Sequence, residues 1–381
     1  MAPRNDIAIH APFAFPFYED RAAYGERAPR GGGGAELQTR LLAEALARSG
    51  LRVAHIIYRR EHPTEAPVPS LQLIERKPPW EGRRGLPGKV SEAVRVWRSL
   101  AGADARLYVF RGGGAHLMIG AAFCALRRRR LVFSASNDFD FIRRTDRGRF
   151  GQAVYRAALR RARCVVVQTN QQLELASRTL GNVARVKLIP SFAELGNTST
   201  PALEPEAFLW AARLVPYKQP LRYVELARAI PEARFRMIAP RTIETTDTLS
   251  QQLTEAAAEL PNLELLLNQW RETVLETIAR SVAVVVTSRT EGMPNVFLEA
   301  WSQGVPVISL HFDPDGKISS KGLGVFADGS WARFVEAART LWREPRLRRD
   351  IGDRARAYVA AEHSLEAVGR RWAETLRDAL G

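Results

Sequence analysis

The stretch Val282–Leu310, VAVVVTSRTEGMPNVFLEAWSQGVPVISL, constrains this chain more than any other. An apolar run, Val282–Thr287, predicts a buried strand, and Val305–Leu310 predicts a second one. Between them lies a loop, then a helix entered through Pro294, where a missing N–H costs nothing because it would have no intrahelical partner. Gly304 closes that helix. Gly292 lets the backbone N–H groups of the turn approach an anion, which the helix start attracts. Glu291 falls in the loop and Glu299 about one and a half turns into the helix, a separation of roughly 8–10 Å at the usual rise per residue.

Two carboxylates so far apart cannot share a proton or a metal. They can hydrogen-bond hydroxyls at opposite ends of a long ligand whose phosphates lie between them. A nucleotide-sugar has this layout of ribose, diphosphate and hexose.

Glu291, Gly292, Pro294, Glu299 and Ala300 resemble the E-x7-E signature of retaining GT-B glycosyltransferases, family 4 in particular. The resemblance implies that Glu291 contacts the donor sugar and Glu299 the ribose. It places the donor against the turn Glu291, Gly292, Met293, Pro294 and Asn295. Arg213 and Lys218 resemble the family's R-x4-K pair, two cations that hold the diphosphate and stabilise charge growing on the leaving phosphate. The segment Gly33-Gly34-Ala35-Glu36 resembles the family's first loop, whose N–H groups at Gly33 and Gly34 face the same diphosphate.

At 381 residues the chain suits two domains of ordinary size. Hydrophobic content of 46% and charged content of 25% describe a globular protein, and no apolar run reaches membrane-spanning length. Met1–His10 lacks a signal-peptide pattern, which together with Cys124 and Cys164, two cysteines without metal spacing, leads to the expectation of buried thiols in a reducing cytoplasm. The net charge of +15 fits nucleic acid, an anionic membrane surface or acidic small molecules, and some of it is simply arginine, as in the run 127–130.

In chain order, a first strand (Ile7–His10), a long loop (Ala11–Arg30), a glycine run (Gly31–Gly34), a helix (Ala35–Arg48) and a strand (Arg52–Tyr58) form a phosphate-compatible β-α-β unit. It lacks the G-x-G-x-x-G spacing and the acidic residue after the second strand, which argues against a dinucleotide cofactor. His55 reads as a structural histidine within a strand. Residues 59–90 read as a variable excursion, followed by a helix (Ser91–Ala101) and a strand (Arg106–Phe110). Arg111 and His116 then lie at a strand's carboxyl end, where open α/β sheets bind ligands.

After the strand Leu131–Ala135 comes Asn137-Asp138-Phe139-Asp140. Asp138 and Asp140 form a D-x-D, which holds a metal in GT-A glycosyltransferases. The position instead resembles a GT-B loop that usually carries a histidine touching the donor sugar. No histidine stands there; His116 is the substitute, with Asp138 a sugar-side or acceptor-side group and no metal ligand. Arginines between Arg143 and Arg163, interleaved with Phe150, Val154 and Tyr155, make a basic amphipathic helix. It serves either as a core helix with a solvated face or as a dock for an anionic membrane.

The architecture expected is therefore α/β of GT-B type: two Rossmann-like domains facing across a cleft. An acceptor-side domain spans 1–190, a linker 191–206 and a nucleotide-sugar domain 207–362. A final helix, 363–381, packs back on the first domain through Trp372 and Leu376. The reaction implied is sugar transfer from a nucleotide diphosphate donor, UDP being the family's commonest, to a glycan, lipid-linked or small-molecule hydroxyl. Anomeric configuration is retained by a same-face mechanism, with no cofactor or metal, in the cytoplasm or peripherally on the inner face of the membrane. The alternatives are a GT-A enzyme using Asp138 and Asp140, a GT-B UDP-sugar epimerase or hydrolase, and a basic nucleic-acid-binding protein, although no recognisable nucleic-acid module is present.

Overall fold

Strands such as VAHIIY (53–58) and SVAVVV (281–286) are apolar at most positions and buried at every one. Such runs belong in parallel sheets covered by helices on both faces. The computed structural model, which describes residues 4–25, 33–81, 85–142, 148–195, 204–240 and 245–381, contains two sheets of this kind. The chain divides into two compact units, 1–192 with 365–381 and 193–364.

The first unit holds strands β1 (Asn5–His10), β2 (Val53–Tyr58), β3 (Leu71–Arg76), β4 (Ala105–Arg111), β5 (Arg130–Ser134), β6 (Cys164–Val167) and β7 (Val186–Leu188). All are parallel, in the order β3-β2-β1-β4-β5-β6-β7. Its helices are α1 (Gly34–Arg48), α2 (Gly85–Ala103), α3 (Ala115–Leu126), α4 (Gly148–Arg161) and α5 (Asn170–Leu180). Helix α1 packs on one core, with Leu41, Leu42 and Leu46 against Ile7, Ile9 and Val109. Helices α2 to α5 build the other around Tyr108, Phe110, Phe133 and Tyr155. The order reverses between β1 and β4, which is where doubly wound sheets open a crevice at their carboxyl edge.

The second unit holds β8 (Ala207–Ala211), β9 (Phe235–Ala239), β10 (Leu263–Leu267), β11 (Ser281–Val286), β12 (Val307–Ser309) and β13 (Gly324–Phe326), ordered β10-β9-β8-β11-β12-β13 and again all parallel. Its helices are α6 (Pro220–Ala229), α7 (Asp247–Ala258), α8 (Arg271–Ala279), α9 (Asn295–Ser302), α10 (Lys317–Lys321), α11 (Trp331–Arg343) and α12 (Pro345–Glu362). Here α9 and α12 cross so closely that a Cβ on Gly352 would sit 2.0 Å from the Gly304 carbonyl oxygen. The last helix, α13 (Leu365–Leu380), belongs to the first unit. Its Val368, Trp372 and Leu376 join the core of α1, and Gly369 lets it approach Ala45.

Several expectations are corrected. The stretch 59–90 is not a plain excursion: β3 adds an edge strand in register with β2, Val53 opposite Leu71 through Tyr58 opposite Arg76. Its charged end (Glu75, Arg76) hides the strand pattern. Helix α2 begins at Gly85, six residues before Ser91, because Pro87 is tolerated in a first turn. Strand β13, Gly324–Phe326, adds a further edge strand beside β12. Ala193, expected in the linker, donates its N–H to the His363 carbonyl and belongs to the second unit; 196–203 lie outside the described residues. Gly31 and Gly32, and residues 143–147 of the basic segment, also lie outside them.

Cys124 and Cys164 are free and buried, and burial raises their thiols to about 12 and about 11. His55 accepts or donates one hydrogen bond, Nδ1 to the Tyr18 hydroxyl at 2.8 Å, and burial lowers its pKa to about 3, so the ring is neutral. No helix among the described residues is long and apolar enough to cross a membrane.

Candidate functional site

The site in the second unit is built where β8 and β11, neighbours in the sheet, both end. After β8 the chain runs through Arg213 to the tight turn Pro216–Lys218, and Gln219 then takes a left-handed conformation (φ 51°) before Pro220 opens α6. One buried threonine fixes this turn to β11. The Thr287 hydroxyl donates toward the carbonyls of Lys218 (2.7 Å) and Gln219 (3.0 Å), which share its one proton, and accepts the Trp210 indole N–H at 3.0 Å. The Arg289 N–H adds a bond to the Tyr217 carbonyl at 3.2 Å.

That clamp brings Lys218 to Glu291. They form an ion pair in which the side chains are only 15% and 13% exposed. The Tyr217 ring lies 5.4 Å from the Lys218 ammonium, and its hydroxyl is 2.9 Å from an Arg213 guanidinium nitrogen. Arg213, Tyr217, Lys218 and Glu291 therefore form one connected group.

From Glu291 the chain turns through Gly292, Met293 and Pro294 into α9. Pro294 is the residue preceding the helix (φ −65°, ψ 122°) rather than its first member, so Asn295 opens it. Gly292, Pro294, Phe297 and Leu298 are buried. One face of α9 is thereby fixed, which leaves Glu299 partly exposed.

Glu299 is held by Arg271 at the start of α8, and Arg271 also reaches Glu194 at 2.9 Å. Burial alone would lower the Arg271 pKa, but the charges and hydrogen bonds of Glu299 and Glu194 raise it overall. Sequence reasoning missed Arg271 because no motif spacing links it to Glu299. It also missed Gln219, Arg289 and His311. With its amide oriented to satisfy both sides, Gln219 donates to the Thr287 carbonyl (2.9 Å) and to His311 Nε2 (3.1 Å) and accepts from Arg289 Nε (2.8 Å). Burial and the charges of Arg289 and Arg222 lower the His311 pKa. Trp270 precedes α8, where it stands beside Arg271.

The residues expected from the first half lie in the first unit. Gly33 precedes α1 and Gly34 is its first residue. Arg111 reaches the Ser134 hydroxyl at 3.0 Å, and burial lowers its pKa to about 10. His116, in the first turn of α3, bonds Glu92 through Nε2 at 3.1 Å. Asp138 is 7% exposed and accepts from Gln171 Nε2 at 2.8 Å; burial, then the Asp140 charge, raises its pKa against an opposing hydrogen bond.

Of the two D-x-D aspartates, Asp140 is the more heavily hydrogen-bonded. Its carboxylate is consumed by the N–H groups of Gly113 (2.6 Å), Ser136 (2.7 Å) and Asn137 (3.3 Å), so it ties two loops together. Among the described residues no three metal-ligating side chains cluster. The basic helix differs too. In α4, Tyr155 faces the core with Gln152, Ala158 and Leu159, whereas Phe150 (83% exposed) and Val154 point outward among the arginines.

Two parallel-sheet units, with cations and carboxylates gathered at a strand edge and helix start, define a GT-B α/β protein. The chain belongs to the group 1 glycosyltransferases: residues 194–358 match the family described as "Glycosyl transferases group 1", and 33–191 match the "Glycosyl transferase 4-like domain". Solved structures share the fold. HepE of Anabaena, solved with UDP and glucose, is 15% identical with a TM-score of 0.74, over 98% of this chain and 100% of that one. Sucrose-phosphate synthase of Thermosynechococcus elongatus is 17% identical with a TM-score of 0.75, over 98% and 99%. The UDP-forming α,α-trehalose-phosphate synthase of Burkholderia vietnamiensis is 13% identical with a TM-score of 0.70, over 98% and 100%. Comparison with curated protein sequences gave no match.

Proposed function

We propose that this glycosyltransferase moves a sugar from a UDP-sugar to a hydroxyl with retention at the anomeric carbon. The observation carrying the proposal is the Lys218–Glu291 pair at the approach to α9, joined to Arg213 through Tyr217. The donor diphosphate lies against the turn 291–295 and the start of α9, between Arg213 and Lys218. Lys218 exchanges its carboxylate partner for a phosphate oxygen. Glu291, released, accepts hydroxyls of the donor sugar, and Glu299 accepts the ribose hydroxyls.

In the transfer, the bond from C1 to the phosphate oxygen breaks and its electron pair stays with the phosphate. The acceptor oxygen bonds C1 on the same face and gives its proton to that phosphate oxygen. Two fixed cations offset the developing charge, the role Mg²⁺ plays elsewhere, so turnover should survive a chelator. UDP as the nucleotide is supported by Anabaena HepE, which was solved with UDP and with UDP-glucose.

The acceptor proposed is a glycan or lipid-linked glycan in polysaccharide synthesis, with the enzyme peripheral on the inner face of the membrane. The exposed face of α4 supports this: Arg149, Phe150, Val154, Arg156 and Arg160 are exposed, and the helix contains no acidic residue. Cosedimentation with anionic vesicles at low salt should retain the chain, and Phe150→Asp should release it. Failure of the unaltered chain to sediment removes the membrane role. The test of the reaction is thermal shift against UDP-, GDP- and ADP-sugars. A UDP-sugar should raise the melting temperature by several degrees, and no rise with any donor overturns the reading.

A further inference from the structure

The carboxyl ends of β1 to β4 carry a contiguous group of side chains that the donor site does not use. At the surface, Phe13 follows β1 and Trp80 follows β3, 39% and 45% exposed. Both rest on Tyr58 at the end of β2, with ring centroids 5.0 and 5.1 Å from it and 6.1 Å from each other. Deeper, the Arg76 guanidinium lies 4.6 Å from the Tyr58 ring centre and bonds Glu92 of α2 at 2.9 Å. Glu92 in turn holds His116, whose ring is 5.0 Å from that of His10, at the end of β1.

The polar floor is unfinished. Glu92 Oε2, Arg76 Nε and His10 Nε2 are buried with no hydrogen-bond partner among the described residues, and His10 is 4% exposed. Each such atom has given up its water without a replacement, so three in one cluster are unusual unless something else completes them. Burial would raise the Glu92 pKa, but the His116 bond and Arg76 lower it overall. The carboxylate is thus ionised, and its Oε1 is shared by Arg76 and His116 Nε2. The group sits where the strand order reverses.

We propose that this is a pyranose-binding subsite for the acceptor, with Trp80 and Phe13 stacking on the ring's C–H face and His116, ordered by Glu92 and Arg76, holding one of its hydroxyls. An aromatic lip over a hydroxyl-accepting floor suits a sugar ring, which is apolar on one face and rich in donors at its edge. His116 acts here in orientation and specificity. The proton of the reacting hydroxyl still leaves with the phosphate. The proposal deepens the transfer reading and rests on it.

The test uses the full chain and methyl and octyl glycosides of glucose, galactose, mannose and N-acetylglucosamine. Calorimetry and tryptophan fluorescence should show millimolar or tighter binding of at least one octyl glycoside. Trp80→Ala should weaken it at least tenfold and leave UDP affinity within twofold, and Trp80→Phe should restore most of it. Glu92→Gln should raise the acceptor KM more than it lowers kcat. A strut with no ligand would change only the melting temperature. No glycoside binding in a chain that binds UDP overturns the subsite alone. Absence of UDP binding overturns the donor reading instead, and glycoside binding insensitive to Trp80→Ala also overturns the subsite.

Discussion

Glu291 and Lys218 each hold the other's charge, so removing either leaves a little-exposed ion alone. Glu291→Ala, Lys218→Ala and Arg213→Ala should each lower kcat by about 10²-fold, measured by UDP release at saturating donor. A near-normal rate removes that residue's role. Glu299→Ala should act differently, weakening UDP binding by calorimetry with less effect on turnover. These residues were legible because a motif places them at fixed offsets around a strand–loop–helix unit. Arg271, Gln219 and His311 were not, because each reaches the site only through tertiary packing. Histidines supply a second residue-scale prediction. His55 and His10 are both held below the ordinary histidine value, chiefly by burial. Folded rings stay neutral where unfolded ones protonate, so stability is full above about pH 6.5 and falls with pH below it, by about 1.4 kcal/mol per unit for each ring. Urea melts at pH 7, 6 and 5 should show that slope; a flat profile contradicts their neutral burial.

At the scale of elements, the turn that carries Lys218 is tied to the end of β11 chiefly through the Thr287 hydroxyl. Thr287→Val keeps the shape but strips the bonds to Lys218, Gln219 and Trp210. It should cost about 1–3 kcal/mol and raise the donor KM, both measurable on one preparation. Unchanged donor KM would show that the turn holds without it. The α9–α12 crossing is less forgiving: Gly352→Ala drives a Cβ into backbone, which should lower stability by about 1–3 kcal/mol. Buried strands and long helices were legible from apolar runs and periodicity. Edge strand β3 was not, since half-covered strands need fewer apolar residues, and Leu71–Arg76 ends in charge. In α4 the arginine spacing revealed a helix, but it did not reveal that Phe150 would face outward while Tyr155 turned in.

On the scale of the whole molecule, the second unit is an insertion in the first, because 193–364 lies between the two segments of the other core. Trp372 and Leu376 of α13 complete the packing of Leu41, Leu42 and Leu46. Trp372→Ala should therefore cost about 3–5 kcal/mol, with hydrogen exchange accelerated in 4–192 and little changed in 204–364. Equal acceleration in both would contradict the division. The same arrangement sets a schedule on the ribosome. Residues 193–364 have the partners of their own core once synthesised, whereas the earlier core must wait, its α1 seam open, for a segment made 172 residues later. A nascent chain arrested before Leu365 should thus carry a protease-resistant later half and a chaperone-dependent earlier one, and a peptide of residues 365–381 supplied separately should close the seam.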